Sequence, residues 1–264
     1  MTTARKEVLF IGAGRMAQAI IAGLNGNDDF SIHVANNGNE ERLEYVREKY
    51  GVETSGSWVE MAAKMDIIVL AMPPDAHGTL FEELRGLVDG QLILTVAAGI
   101  GPSYMEEMLP EGTPVASLMP NTAAKQGESM TLYAPGQHVT KEHIQLIEAL
   151  LKGIGEFEKV TEQQIHELTA ITGSAPAFMY LVAEALEQMA VETGITKEQA
   201  RKLVAQMIAG SAQMLKTNIG TRELIDEVAT PGGSTAAGLE VLEAGDLNQL
   251  FRKAIHACRE KAKI

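Results

Sequence analysis

The sequence has little of several residue types, and each shortage excludes a kind of protein. One cysteine, Cys258, leaves no partner for an internal disulfide bond. The six histidines are scattered without the Cys/His spacing of a metal site, so we expect no metal. Lys and Arg number 22 against 35 Asp and Glu, which gives a formal net charge of −13. A chain this acidic is not expected to bind nucleic acid or an anionic membrane surface.

Long apolar segments are missing as well. Stretches such as residues 67–74 are far too short to span a bilayer, so we expect no membrane segment. The apolar run at residues 8–11 is also too short for the core of a signal peptide. With 45% hydrophobic and 22% charged residues, the composition is that of a folded globular protein. We therefore expect a cytoplasmic protein, and 264 residues are enough for about two domains.

The first half of the chain alternates strand-like and helix-like segments. Short apolar runs alternate with amphipathic stretches of roughly ten residues, a pattern typical of a parallel sheet with helices on both faces. The predicted strands are residues 8–11, 31–35, 66–71, 91–96 and 114–118. This half is expected to be a doubly wound sheet domain of α/β class, residues 1–158.

After residue 160 the pattern becomes helical. The sequences at 161–164 and 196–199 are Thr-x-x-Gln capping boxes, which begin helices. Apolar residues then recur at helical spacing, and no strand-like alternation is present. We expect residues 159–264 to form an all-α domain.

One helix of this domain is apolar on every face. Residues 175–183 are all apolar or small, so they require burial on all sides. A helical domain of roughly 100 residues is too small to enclose such a helix alone. We therefore expect a homodimer formed through the C-terminal helices, with a higher oligomer left open.

A glycine-rich turn follows the first strand and opens the first helix. It reads Gly12-Ala13-Gly14-Arg15-Met16-Ala17. The glycines allow a tight turn close to a pyrophosphate, Ala17 allows helix and strand to pack, and the helix N-terminus supplies free N–H groups. The pattern favours a Rossmann-type dinucleotide site over a tight turn without a ligand.

The end of the second strand indicates which dinucleotide binds. Residues 35–39 read Ala-Asn-Asn-Gly-Asn, without the acid that binds the ribose 2′-hydroxyl of NAD. This favours NADP(H), with Asn36 and Asn37 near the 2′-phosphate and Arg15 or Arg42 as the counter-charge. Two glutamates follow directly, so NAD(H) remains an alternative.

A second glycine segment lies near the C-terminus. Residues 231–235 read Pro-Gly-Gly-Ser-Thr between two predicted helices. Exposed N–H groups, a backbone without Cβ atoms and a neighbouring hydroxyl favour an anion site. The alternative is an ordinary turn between helices.

These motifs resemble those of one family. Residues 228–235, Val-Ala-Thr-Pro-Gly-Gly-Ser-Thr, followed by Ala-Gly-Leu at 237–239, are similar to the signature of pyrroline-5-carboxylate reductases. The turn at 12–17, Met-Pro-Asn-Thr at 119–122 and Gly-Ser-Ala-Pro-Ala at 173–177 match the family in order and spacing. The resemblance covers nearly the whole chain.

The resemblance implies an NAD(P)H-dependent oxidoreductase of proline biosynthesis. Such an enzyme transfers hydride to the C=N bond of Δ1-pyrroline-5-carboxylate, a small cyclic imino acid, and forms L-proline. It implies Thr235 as the catalytic residue, with its hydroxyl facing the ring nitrogen. The implied substrate-binding residues are Gly233, Ser234, Thr235, Met119, Pro120 and Asn121. The implied cofactor-binding residues are Gly12, Gly14, Arg15, Met16, Ala17, Asn36, Asn37, Ala71, Pro73 and Asn121.

The chain departs from the family at five positions. The family often has Arg, Lys, Arg, Pro and Gly where this chain has Asn37, Met72, Ser117, Ala123 and Ala175. Several positive charges near the cofactor are thereby lost. This leaves open two alternatives: a non-catalytic NADP(H)-binding regulator, or a paralogue that reduces another cyclic imine. A β-hydroxyacid dehydrogenase is disfavoured, since no lysine lies between Lys159 and Lys197 to act as its acid and base.

Overall fold

A computed structural model describes residues 5–36 and 38–262 of the chain. Its strands are β1 (Lys6–Ile11), β2 (Phe30–Ala35), β3 (Glu53–Ser55), β4 (Ile67–Leu70), β5 (Leu92–Thr95), β6 (Val115–Met119), β7 (Ser129–Pro135) and β8 (Gly155–Lys159). They form one sheet in the order β3-β2-β1-β4-β5-β6-β7-β8.

The helices of the described residues divide between the two halves of the chain. Those of the first half are α1 (Arg15–Leu24), α2 (Glu40–Tyr50), α3 (Val59–Ala62), α4 (His77–Leu84), α5 (Pro102–Met108) and α6 (Lys141–Lys152). Those that follow β8 are α7 (Glu162–Thr169), α8 (Ala175–Glu192), α9 (Lys197–Leu215), α10 (Thr221–Val228), α11 (Ser234–Ala244) and α12 (Leu247–Ala262). Short 3₁₀ helices span Pro74–Ala76 and Thr122–Gln126, and a π-helix spans Ala170–Ser174. The predicted change from α/β to all-α is confirmed.

The pairing of the strands confirms the predicted doubly wound sheet. Strands β1 to β6 are paired in parallel. Each of them is joined to the next along the chain by a segment that contains a helix. The structure adds β3, which runs parallel to β2, β7, which runs antiparallel to β6, and β8, which runs parallel to β7. The connection from β6 to β7 holds only a short 3₁₀ helix, and such a connection returns the chain in the opposite direction.

Strand β1 places alternate side chains into two hydrophobic cores. Val8 and Phe10 pack with apolar residues of α1, α2 and α6, whereas Leu9 and Ile11 pack with those of α3, α4 and α5. These four side chains are at most 5% exposed. Each contributes roughly 1.5–3 kcal/mol through burial. Burial on both faces therefore holds the carboxyl end of β1 rigidly at the carboxyl edge of the sheet, where the loops that follow the parallel strands begin.

The chain separates into two compact units between Gly173 and Ser174. Helix α7 belongs to the first unit, where the fully buried Ile165 packs on Met119 and Leu132 of the sheet. The predicted domain boundary between residues 158 and 159 lies before this helix and stays a prediction.

A carboxylate connects α7 with α5 inside the first unit. Glu162, the first residue of α7, accepts the backbone N–H of Ser103 at 3.3 Å, and also the Ser103 hydroxyl. This carboxylate lies at the positive end of α5, where it satisfies an N–H without a partner inside the helix. A Cβ atom on Gly101 would lie 1.8 Å from Glu162 Oε1, so the glycine provides the space for the carboxylate.

The second unit consists of helices. At the start of α9, Thr196 and Gln199 exchange two side-chain to backbone hydrogen bonds of 3.2 and 2.9 Å, which confirms the predicted capping box. Phe178 of α8 and Phe251 of α12 pack with ring centroids 6.4 Å apart. Within the described ranges, no helix combines the length and the hydropathy that a membrane span requires.

Candidate active site

The carboxyl ends of β1, β2 and β4 border a crevice of about 380 Å³. The chain reverses its direction across the sheet between β1 and β4, and ligands of open α/β sheets bind at such a switch point. The residues that line the crevice are Ile11, Gly12, Asn36, Trp58, Met72, Ala76, Thr79, Leu80 and Glu83.

Gly12 brings the ends of three strands together. Its φ of +108° is strained for any residue with a side chain. Its N–H donates to Ala35 O at 2.8 Å. A Cβ atom on Gly12 would lie 2.6 Å from Ala71 O. The turn therefore has no room for a side chain at position 12. It places two predicted cofactor residues, Gly12 and Ala71, in contact.

The N-terminus of α1 faces this turn without a side-chain cap. Gly14 is the N-cap residue, with extended φ and ψ of −70° and 179°, and within the described residues no side chain caps it. The N–H groups of the first turn, residues 15–17, have no acceptor within the helix. Ala17 is fully buried and Met16 packs on the core, whereas Arg15 is exposed. The backbone of residues 14–17 is thus available to an anion.

The end of β2 contributes one of its two predicted residues to the crevice. Asn36 lines it and donates its N–H to Ser55 O at 3.4 Å. Asn37 lies outside the described residues. Arg42 is exposed, and its N–H donates to Asn39 Oδ1 at 2.9 Å, which caps α2. Of the described residues that line the crevice, Glu83 is the one that carries a formal charge.

Sequence reasoning missed the wall opposite Gly12. Trp58, the single tryptophan of the chain, is 2% exposed and lines the crevice. Thr79, Leu80 and Glu83 of α4 line it as well. No motif marks these positions, because they converge only when α4 packs on the sheet. The lone tryptophan after Ser-Gly-Ser at 55–57 was the available signal.

His77, at the start of α4, is fully buried. Its Nδ1 lies 3.1 Å from Pro73 O and its Nε2 lies 3.0 Å from Thr95 Oγ1. Burial lowers the pKa of His77, against the opposing effects of the Pro73 carbonyl and the Asp75 carboxylate. The imidazole is therefore neutral at neutral pH. It connects Pro73, a predicted cofactor residue, with the end of β5.

The predicted Met-Pro-Asn segment follows β6 directly. Met119 is 5% exposed and packs on Leu132 and Ile165, and Pro120 is also buried. Asn121 is the N-cap residue of the following 3₁₀ helix, and its Oδ1 accepts the N–H of Ala123 at 2.9 Å. The segment is thereby fixed at the edge of the sheet.

Asn121 also bonds to the π-helix that precedes α8. Its Nδ2 donates to Thr172 O at 3.0 Å, and its backbone N–H donates to Ser129 Oγ at 3.0 Å. π-helical turns are frequent at functional sites. The structure thus gives the Asn121 side chain a positioning role, and its direct contact with a ligand stays a prediction.

The second unit carries the other predicted part of the site at the N-terminus of α11. Gly232 has φ of +74°, and Gly233 is the N-cap residue with φ and ψ of −82° and 171°. No described side chain caps the helix, and Ser234 and Thr235 are exposed. The N–H groups of its first turn are therefore free to bind an anion.

Thr235 lines a mainly apolar cavity of about 370 Å³ within this unit. The other residues of the cavity are Ser211, Met214, Leu215, Thr221, Leu224, Ile225, Glu227, Val228 and Leu239. In the described part of the chain, no group of three or more His, Cys, Asp or Glu side chains is arranged to hold a metal.

The hydrogen bonds of Asn121 predict a graded loss of stability. Asn121→Ser keeps an N-cap for the 3₁₀ helix but leaves Thr172 O without its donor, at a cost of about 1 kcal/mol. Asn121→Ala removes both hydrogen bonds and is expected to cost about 2 kcal/mol. Urea denaturation measures both values, with the exposed Asn248→Ala as the control. Equal stability of Asn121→Ala and the wild type would contradict the assignment.

Comparison with known families matches both units. Residues 162–264 match the family model for pyrroline-5-carboxylate reductase dimerisation. Residues 7–99 match the model for coenzyme F420-dependent NADP oxidoreductases. The predicted nicotinamide-dinucleotide domain is thereby confirmed.

Individual relatives cover nearly the whole chain. Pyrroline-5-carboxylate reductase 1 of Bacillus spizizenii is 36% identical over 98% of this chain and 90% of its own length. The reductase of Corynebacterium melassecola is 31% identical over 97% of each chain. A reductase structure from Coxiella burnetii has a TM-score of 0.88 and 33% identity over 98% of each chain. The NADP-bound reductase of Plasmodium falciparum has a TM-score of 0.88 and 26% identity over 98% of this chain and 97% of its own. This chain therefore belongs to the pyrroline-5-carboxylate reductase family.

Proposed function

We propose that this protein reduces Δ1-pyrroline-5-carboxylate to L-proline with NADPH. The observation that carries the proposal is the uncapped N-terminus of α11, where Ser234 and Thr235 are exposed beside an apolar cavity. The substrate is a small ring with one carboxylate, and this site offers backbone donors for the anion next to an apolar surface for the ring.

The crevice of the first unit fits a nicotinamide dinucleotide. A Cβ atom at Gly12 would fill the space beside Ala71 O, and the free N–H groups of α1 face the same turn. These donors would hold the pyrophosphate, since a helix N-terminus favours negative charge. Asn36 would lie near the adenosine ribose, since it lines the crevice at the end of β2.

The reaction adds a hydride and a proton across the C=N bond. When bound, the reduced cofactor supplies the hydride, which forms the new C–H bond at the imine carbon. The ring nitrogen takes up one proton, and a substrate that arrives as the iminium ion already carries it. The free N–H groups of Ser234 and Thr235 hold the carboxylate, whereas the N–H of Gly233 donates to Thr230 O at 2.9 Å and fixes the turn before α11. The Thr235 hydroxyl accepts a hydrogen bond from the protonated nitrogen and fixes the orientation of the ring. Such orientation is a large part of the catalysis of a transfer between two bound molecules.

A direct assay tests the proposal. Purified protein is mixed with pyrroline-5-carboxylate and NADPH, with NADH in a parallel sample. Consumption of the reduced cofactor and formation of proline, identified by mass spectrometry, are the expected results. A six-membered cyclic imino acid is the comparison substrate. Faster reduction of that ring, or no reduction of either, would contradict the proposal.

Gly12→Ala is expected to weaken NADPH binding by more than about tenfold, because strain and the contact with Ala71 O displace the turn. Trp58, the single tryptophan, lines the crevice, so quenching of its fluorescence measures the dissociation constant. The control is Gly90→Ala, which has φ of +88° and open space around its Cβ position. That variant is expected to lose about 1 kcal/mol of stability and to bind NADPH normally. Unchanged affinity of Gly12→Ala would contradict the assignment of the crevice.

Thr235→Ala is expected to lower kcat by about a hundredfold, because the ring is no longer held in the orientation for hydride transfer. Thr235→Ser keeps the hydroxyl and is expected to retain most activity. Affinity for NADPH, measured by Trp58 fluorescence, stays within about threefold of the wild type because α11 supplies no pyrophosphate donors. The exposed Thr217→Ala serves as the control. Normal turnover of Thr235→Ala would exclude Thr235 from the mechanism.

We also propose that the protein is a homodimer formed through its second unit. Helix α8 contains no buried residue, and Tyr180 and Leu181 are 64% and 66% exposed. Val241 of α11 is 72% exposed. Apolar exposure this extensive is typical of a surface that another protein covers. The match of residues 162–264 to a dimerisation model supports a second copy as that protein.

Leu181→Glu is expected to convert the dimer into monomers, because it introduces a charge into the apolar face of α8. Light scattering after size exclusion gives the mass of each species. Gln145→Glu adds the same charge at an exposed position on α6 and is expected to leave the dimer intact. A monomeric wild type at micromolar concentration would overturn the proposed assembly.

A further inference from the structure

The fully buried His77 and Thr95 belong to a chain of hydrogen bonds, and His77 directly follows Ala76, which lines the crevice. Pro73 O can only accept, so His77 Nδ1, at 3.1 Å, carries the proton. In the neutral imidazole Nε2 then accepts the hydroxyl proton of Thr95, at 3.0 Å. Thr95 Oγ1 in turn accepts the N–H of Ala97 at 3.2 Å. Each donor in this chain has one acceptor, so a single tautomer satisfies the whole network.

The network joins two separate loops at the carboxyl edge of the sheet. Pro73 follows β4, and Ala97 follows β5. The same side chain begins α4, which contributes Thr79, Leu80 and Glu83 to the crevice. Met72, next to Pro73, also lines the crevice. The wall opposite Gly12 is therefore held in place through His77.

We propose that His77 is a positioning residue for the cofactor, and that with Thr95 it fixes the crevice wall formed by Met72 and α4. The inference rests on the proposed function, because the crevice is the proposed dinucleotide site. His77 acts through the Pro73 carbonyl and the backbone of α4. A buried ring that satisfies two polar groups in fixed directions specifies one arrangement of the loop.

Few charged groups face His77 from the elements around it. Asp75 lies in its own 3₁₀ turn, and its carboxylate favours the protonated imidazole. Phe81 of α4 packs edge-on against the imidazole with centroids 5.6 Å apart. Tyr104 of α5 packs in turn on Phe81, at 5.9 Å. The surroundings are mainly apolar and preserve the neutral ring that the network requires.

Removal of the buried Thr95 hydroxyl tests the positioning role of His77. Thr95→Val keeps the shape of the side chain but removes the hydroxyl, so both His77 Nε2 and the Ala97 N–H lose a partner. The dissociation constant of NADPH, measured by Trp58 fluorescence without substrate, is expected to rise about tenfold. The KM for NADPH rises by a similar factor while kcat stays within about twofold, since the reacting groups are unchanged. Thr95→Ser restores the hydroxyl and is expected to restore wild-type affinity.

His77→Phe provides a second variant, because it keeps the aromatic packing on Phe81 and removes both hydrogen bonds. We expect His77→Phe to raise the dissociation constant of NADPH at least as much as Thr95→Val does. His138→Phe, at an exposed histidine, is the matched control and leaves affinity unchanged. All measurements are made well below the thermal midpoint of each variant, so a loss of stability alone does not change them.

The outcomes separate this inference from the proposed function. NADPH affinity of Thr95→Val within about twofold of the wild type, with a lowered thermal midpoint, would make the network purely structural and overturn the inference. If the wild type binds NADPH but does not reduce pyrroline-5-carboxylate, the proposed function fails, and the affinity measurements still decide the role of His77. A wild type that binds neither NADPH nor NADH would overturn both.

Discussion

The structure depends on the double pairing of β1, which hydrogen-bonds in parallel to β2 on one side and β4 on the other. This pairing places the carboxyl ends of three strands side by side. The chain also leaves the sheet in opposite directions from the neighbouring strands β1 and β4, so a crevice opens between their loops. The close approach of Gly12 to Ala71 O, the uncapped end of α1 and the His77 network all follow from this arrangement.

A net charge of −13 is unfavourable for binding anions, yet both proposed ligands are anions. The protein resolves this with backbone groups. The N-cap residues of α1 and α11 are both glycines, and among the described residues no side chain caps either helix. Each helix end carries a partial charge of about +0.5 and free N–H donors. Such donors have fixed positions and bind an anion without a positively charged side chain.

Local signals in the sequence predicted the α/β fold, the helical second half and the glycine turns, because buried apolar runs, capping residues and glycines act over a few residues. Strands β3, β7 and β8 were not predicted. β3 and β8 are short and have polar or charged residues in place of a continuous apolar run. Trp58 and Glu83 were missed as lining of the crevice, and His77 was missed as a buried residue that adjoins it, for a different reason. Their positions depend on how α3 and α4 pack on the sheet, which no local pattern records. Asn121 was predicted to bind substrate and cofactor, and the structure adds its hydrogen bonds to Ala123 and Thr172.

The contact between Glu162 and α5 makes two distant positions interdependent. A Cβ atom at Gly101 would lie 1.8 Å from the Glu162 carboxylate, which bonds to Ser103 at the start of α5. Alanine at position 101 would therefore force this carboxylate away from its donors. A shorter or uncharged residue at position 162 would remove that obstacle. The same alanine thus has a different effect on the start of α5 in the two backgrounds, so the two substitutions are not additive.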